Sequence, residues 1–184
     1  MKSGLIFIWI GFLSISTSLA TSVEDTEAEL KALERAHSET DTLKKDFRAA
    51  LKDALQKGGP QKALSECKIK APKISQRGEK IKLGRTSHKL RNPNNAPPEW
   101  VKPYLEKFLK TETKNIPKST IIQLSKNHYG YLEPIFVEPL CLNCHGSQLS
   151  QGLVDAIHKE YPNDKATGFV VGDLRGLLWV EMSK

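Results

Sequence analysis

The sequence predicts an α+β fold in which one long helix precedes an antiparallel sheet. Apolar residues recur at helical spacing over residues 23–57, and no proline or glycine interrupts this stretch. Short runs rich in β-branched and aromatic residues occupy the last third of the chain, where turn-forming residues separate them. The length of 184 residues suits a single domain with its own core.

The first 20 residues have the pattern of a secretory signal peptide. Lys2 supplies a positive charge, an apolar run extends over residues 5–13, and Ser18-Leu19-Ala20 forms a small-x-small cleavage site. The apolar run is short for a membrane-spanning helix, and no second segment approaches spanning length. We therefore expect a mature chain that begins near Thr21, is exported to the periplasm and has no membrane contact. A signal segment retained as an N-terminal anchor is the alternative.

The long helix carries an apolar stripe and ends at a pair of glycines. Gly58-Gly59-Pro60 terminates the helical pattern, so residues 21–60 form a predicted N-terminal helical segment. The stripe either packs on the domain of its own chain or forms a coiled coil in a homodimer. Its members are Leu30, Leu33, Leu43, Phe47, Ala50, Leu51, Ala54 and Leu55.

The rest of the chain alternates turn-rich segments with short helices and strands. A short helix is expected over residues 61–67, a loop over 84–98, and a second helix over 99–109. Residues 120–124 and 131–137 are β-rich. The runs 169–171 and 177–180 flank Gly172-Asp173-Leu174-Arg175-Gly176, which predicts a terminal β-hairpin.

The pentapeptide Cys141-Leu142-Asn143-Cys144-His145 has the C-x-x-C-H spacing of a c-type haem attachment site. Two thiols one helical turn apart can add to the two vinyl groups of one porphyrin, and the histidine that follows can bind the iron. The motif predicts one covalent haem c, held by Cys141 and Cys144, with His145 as an axial ligand. Such attachment takes place outside the bacterial inner membrane, which agrees with the predicted export.

Other uses of a C-x-x-C pair fit this sequence less well. A thioredoxin-type pair follows a core strand in a βαβ pattern, whereas Glu138-Pro139-Leu140 precedes this one. A zinc site needs a fourth ligand and usually a second spaced pair of ligands. A plain disulfide between Cys141 and Cys144 leaves His145 without a role.

The residues alone leave the second axial ligand open. Cys67 is an odd thiol in an oxidising compartment, and it is either a ligand or a small buried residue. Arg85 and Arg91 flank a polar loop, where they are either contacts of the haem propionates or ordinary surface arginines. The competing axial ligands are His37, His88, His128, His158 and Met182.

Charge and motif content argue against several other functions. The chain has 28 basic and 21 acidic residues, a formal charge of +7, but the basic residues are spread along it. They lack the basic–aromatic interleaving typical of nucleic-acid binding, so we expect no nucleic-acid partner. No paired carboxylates, activated nucleophile or phosphate-binding loop stand out, and we expect that the protein is not an enzyme. A peroxidase is a distant option, because it needs an open distal site and a general acid–base residue, and neither is evident in the sequence.

A further pattern consists of stretches in a fixed order along the mature chain. They are Cys67 with Ala71-Pro72, Arg85-Thr86-Ser87, Leu90-Arg91-Asn92-Pro93, Asn95-Ala96-Pro97, Cys141-Leu142-Asn143-Cys144-His145-Gly146, Asp164-Lys165-Ala166-Thr167-Gly168-Phe169 and Gly172-Asp173-Leu174-Arg175-Gly176. Together they resemble a bacterial family of c-type haem domains of unknown function, which has a PAS-like fold and was first described in cyanobacteria. The resemblance covers most of the mature chain.

The resemblance implies a PAS-like haem domain over residues 61–184 and a role for Cys67. A cysteine upstream of the haem motif is the second axial ligand in that family, and it corresponds to Cys67 here. A thiolate is an anionic ligand, so it favours ferric iron and lowers the reduction potential. The family implies a redox or small-molecule sensor, in this chain one that binds a gas or responds to redox state and acts through a partner protein. A periplasmic electron-transfer cytochrome is the alternative.

Overall fold

A four-stranded antiparallel sheet forms the centre of the fold. Its strands are β1 (Ile81–Thr86), β2 (Thr120–Ser125), β3 (His128–Phe136) and β4 (Leu174–Ser183), in the order β1-β4-β3-β2 across the sheet. The structure, a computed structural model, describes the backbone of residues 16–74 and 81–183. It describes their side chains except at 16–25, 67 and 69–74. Most of the predicted signal segment and the side chain of Cys67 therefore lie outside the described residues.

Four helices surround the sheet. They are α1 (Ser16–Ile74), α2 (Lys102–Leu109), α3 (Leu142–His145) and α4 (Gln151–Glu160), and short 3₁₀ turns cover Pro93–Asn95, Thr113–Asn115 and Pro139–Cys141. A long N-terminal helix followed by an antiparallel sheet confirms the predicted α+β fold. In the described part of the chain, no helix combines the length and the apolar character that a membrane span requires.

The side chains of strand β4 alternate between the two faces of the sheet, and each set packs in a different hydrophobic cluster. Leu178 and Val180 pack beneath α1, together with Tyr131 of β3. Leu177 and Leu132 pack on the opposite side of the sheet. There they meet α2 and the residues around it, among them Val101, Leu105, Phe108 and Ile116. The two-residue period of a strand accounts for this division. The sheet is therefore covered on both faces, and β4 lies at its centre.

Helix α1 packs part of its apolar stripe on the sheet of its own chain, whereas Leu30 of the stripe is 53% exposed. The side chains of Ala36 and Leu43 are fully buried there. Thr40 and Lys44, which lie on the same side of the helix, both bond to Glu133 of β3, at 3.1 and 2.6 Å. This is the first of the two predicted uses of the stripe. The predicted segments 21–60 and 61–184 thus share one hydrophobic cluster.

The glycine pair interrupts α1 but does not end it. Gly58 and Gly59 have non-helical backbone angles, with φ of +67° at Gly59. A second helical stretch over residues 60–74 follows, with Pro60 at its start, where a proline is tolerated. The predicted break is confirmed, but the prediction of a short helix over 61–67 was wrong in length. Leu64 in this second stretch packs on Leu153 and Ile157 of α4.

Two predictions about loops and strands were wrong. Residues 84–86 belong to β1 rather than to a loop, because they pair with residues 177–179 of β4. Residues 169–171 are not a strand, and no terminal hairpin forms. Both edges of β4 are already taken by β1 and β3. The amide of Phe169 instead donates to the backbone oxygen of His145, and that of Val170 to the Asp173 carboxylate.

Candidate functional site

The C-x-x-C-H motif folds as a single tight helical turn. The 3₁₀ turn Pro139–Cys141 leads directly into α3, so Cys141 and Cys144 lie one turn apart. Both are partly exposed and neither forms a disulfide. The turn ends at Gly146. Glycine suits this position because a Cβ there would lie 2.8 Å from the backbone oxygen of Leu142. The geometry agrees with the predicted spacing of two thiols for one ligand.

His145 is held in one tautomer and kept neutral. Its Nδ1 lies 2.6 Å from the backbone oxygen of Ala166, a distance at which Nδ1 carries the proton and donates it. Burial lowers the pKa of His145 to about 3, and the guanidinium groups of Arg175 and Arg91 add to this effect. At neutral pH the ring is therefore uncharged, and Nε2 carries a lone pair for a metal.

Apolar side chains form a wall beside the motif. Val137, Ala166 and Phe169 are buried together, and Cys141 and Leu142 pack against them. The ring of Phe169 meets the ring of His145 edge to face, with centroids 6.3 Å apart. A planar hydrophobic cofactor needs such a wall.

Arg91 ties the motif to two distant loops. Its Nε and Nη2 donate to the two oxygens of Asp164 at 3.1 and 3.2 Å, and Nη2 also donates to the backbone oxygen of Cys144 at 2.7 Å. Asp164 in turn accepts the amide of Ala166, whose carbonyl orients His145. The two side chains are only 12% and 4% exposed. Arg91 thus sets the position of the motif in addition to carrying a charge near it.

Arg85 and Arg175 complete a group of three guanidinium ions near the motif. The guanidinium of Arg85 lies 4.6 Å from the centroid of the Phe47 ring of α1. Arg175 donates to the Ser87 hydroxyl at 2.8 Å and lies 5.0 Å from the Phe169 ring. The sequence patterns predict no role for Arg175 itself. It lies within the Gly172–Gly176 stretch, which was interpreted as the turn of a hairpin and as one of the stretches that carry the family resemblance.

The structure brings together most of the predicted site residues but leaves several candidate ligands outside. The ring of His88 meets the ring of Phe169 edge to face, with centroids 5.8 Å apart, so this histidine lies beside the apolar wall of the motif. His128 pairs with Glu181 at 3.2 Å, and His37 lies 3.4 Å from Asp41. Met182 is buried beneath α1. His158 is exposed on α4.

Cys67 lies in the second helical stretch of α1. This stretch packs on α4, and Lys68 forms an ion pair with Glu160 at the end of α4. Helix α4 follows the motif by only a few residues, and α1 also contacts α3. The backbone that carries Cys67 therefore lies in a stretch that packs on α4, the helix that follows the motif, and its thiol is outside the described residues. Within those residues, no cluster of three potential metal ligands is found.

Comparisons with known proteins give one family and one solved structure. A family model described as Tll0287-like matches residues 21–183. The chain is similar to the crystal structure of the cyanobacterial heme-protein Tll0287, with a TM-score of 0.58 and 23% sequence identity. The alignment covers 84% of this chain and 96% of that one, and at this identity it shows the fold alone. No curated protein matches the chain.

Proposed function

We propose that this chain, which belongs to the Tll0287-like family, binds one haem c covalently through Cys141 and Cys144, with His145 as an axial ligand of the iron. The observation that carries the proposal is the state of His145. A neutral imidazole with Nδ1 bonded to the Ala166 oxygen has its Nε2 lone pair available, directly after two thiols on one turn. The solved relative is described as a heme-protein, which supports the same assignment.

The other residues of the site fit such a group. Phe169, Val137 and Ala166 provide the apolar surface that a porphyrin face needs, and the guanidinium group of Arg85 is a candidate contact for its carboxylates. When bound, the haem supplies a one-electron iron couple with one exchangeable coordination position. The chain's own residues orient His145, exclude water from one face and keep positive charge nearby.

For the second axial position we propose Cys67, as a thiolate on ferric iron. The helical stretch that carries it packs on α4, which begins a few residues after the motif along the chain. Ferric iron stabilises the thiolate, whereas reduction weakens that preference and favours loss or exchange of the ligand. A ligand exchange of this kind is a two-state event that a partner protein can read.

The function that follows is that of an exported sensor of redox state or of a small gas, which acts through a partner protein. Export through residues 1–20 supports a periplasmic location, where covalent haem attachment occurs. A monohaem electron-transfer cytochrome is the second candidate, since the positive charge of the chain suits an acidic redox partner. We propose no catalytic activity, no nucleic-acid partner and no membrane contact after cleavage.

A redox titration followed by visible and EPR spectroscopy separates the two candidates. A sensor with thiolate ligation should show a low potential, with a change in ferric low-spin signals and absorption bands that marks ligand exchange on reduction. A cytochrome that only carries electrons should show a reversible couple with the same two ligands in both states. The second result would remove the sensor proposal and keep the haem.

A further inference from the structure

Hydrogen bonds to neighbouring residues fix the orientation of the Arg175 guanidinium. It lies at the start of β4, where the bare backbone of Gly176 lets the carbonyl of Thr86 approach closely. Ser87, which follows, donates its hydroxyl to the backbone oxygen of Arg175 at 2.6 Å and accepts from its Nη1 at 2.8 Å. Nη1 also donates to the backbone oxygen of Lys89 at 3.2 Å. These bonds orient the guanidinium without neutralising it.

Within the described residues, no acidic side chain lies within ion-pair distance of the Arg175 guanidinium. Asp164, the acidic group that acts on it from further away, is already paired with Arg91. Burial, together with the charges of Arg85 and Arg91, lowers the pKa of Arg175 to about 10. It stays protonated at neutral pH, and an anion beside it would offset the hydration that this partly buried charge loses.

Arg175 lies beside the residues that would hold the haem. Its guanidinium stacks on Phe169, whose ring edge meets His145. Of the charged groups that act on His145, Arg175 has the largest effect, and Cys141 acts on Arg175 in turn. Arg91 differs, because Asp164 and two backbone carbonyls occupy its Nε and Nη2.

We propose that Arg175 binds a propionate carboxylate of the haem and is the main anion-binding residue of the site. Arg91 is a positioning residue that holds the Cys144 and Ala166 carbonyls. The proposal rests on the proposed haem function and extends it to the side chain that orients the cofactor. A guanidinium suits the task because it offers two parallel N–H donors to one carboxylate.

The test removes the positive charge of Arg175 and measures the reduction potential of the haem iron. Arg175→Gln should still attach haem, because Cys141 and Cys144 are unchanged. The unpaired propionate should then favour the ferric state, so the reduction equilibrium shifts about tenfold, or 59 mV, to lower potential. Arg35→Gln removes the same charge from an exposed position on α1 and is the control, with no shift expected. Redox-difference infrared spectra of haem labelled with ¹³C at the propionate carboxyls should show a displaced carboxylate band in the Arg175 variant alone.

Equal potentials and an unmoved carboxylate band in Arg175→Gln and Arg35→Gln would overturn the assignment of Arg175. If Arg175→Gln does not accumulate, Arg175→Lys keeps the charge without the parallel donors. It should retain the parent potential but shift the labelled band, and an unmoved band would also overturn the proposal. Absence of haem from the parent protein would instead contradict the proposed function, before Arg175 is tested.

Discussion

Arg91 and Asp164 join segments that lie far apart in the sequence. Arg91 follows β1, Asp164 follows α4, and the carbonyl of Cys144 between them belongs to the motif. Because both side chains are nearly buried, their mutual bonds replace the hydration that each charge loses. The pair therefore determines where the motif sits on the sheet.

Asp164→Asn should strongly destabilise the protein. Removing one charge of a buried pair leaves the guanidinium of Arg91 uncompensated, which costs about 3–5 kcal/mol. Denaturant unfolding measures the loss. Asp53→Asn is the matched control, because the Asp53–Lys57 pair is exposed on α1 and should contribute below about 1 kcal/mol. Equal losses in the two variants would show that the buried pair has no special weight.

Cys67→Ala should change the iron without releasing the haem. If Cys67 is the ferric thiolate ligand, its removal opens the site or recruits a histidine, and the potential rises because an anionic ligand is lost. The ferric EPR spectrum and a redox titration report both effects, and the mass of the haem adduct should stay. An unchanged spectrum and potential would show that the ligand is another residue, and His88, whose ring meets that of Phe169, would then be the first alternative to test.

At the scale of elements, the closure of β1 on β4 shapes the site. Arg85 and Ser87 lie near the motif because β1 pairs along β4 as far as Thr86 and Leu177. Gly176 permits this, since a Cβ there would lie 2.0 Å from the carbonyl oxygen of Thr86. The contact is with backbone, which cannot rotate away.

Gly176→Ala should separate the end of β1 from β4. The clash and the φ of +157° together should cost about 2–5 kcal/mol in unfolding free energy. Gly168→Ala is the control, because its φ is also positive, +75°, but an added Cβ meets nothing within 4 Å. It should lose only about 1–2 kcal/mol. Similar losses at both positions would mean that backbone strain, and not the Thr86 contact, dominates.

The elements with strong periodicity could be predicted from the sequence. The stripe of α1 follows from which residues must leave water, and the β-rich runs 131–137 and 177–180 indicate parts of β3 and β4. Strand β1 could not be predicted, because Gly84 breaks its pattern and packs against the ring of Trp179, a partner that lies in β4. The expected terminal hairpin failed because local turn residues carry no information on which strand edges are already occupied.

At the scale of the whole molecule, the site is assembled from segments that a linear pattern cannot connect. The motif itself was predictable from its spacing, since the two thiols and the histidine lie within five residues. The Ala166 carbonyl that orients His145 and the Arg175 guanidinium beside Phe169 come from later loops and strands. Their roles depend on distances that only the folded chain provides.

The central claim is that Cys141 and Cys144 hold one haem covalently. The most direct measurement is the intact mass of the exported protein, produced in cells that attach c-type haem, under acid and organic solvent. We expect the mass of the mature chain plus one haem, and loss of that adduct when Cys141→Ser and Cys144→Ser are combined. A wild-type mass that shows only free thiols or a disulfide between Cys141 and Cys144 would contradict it.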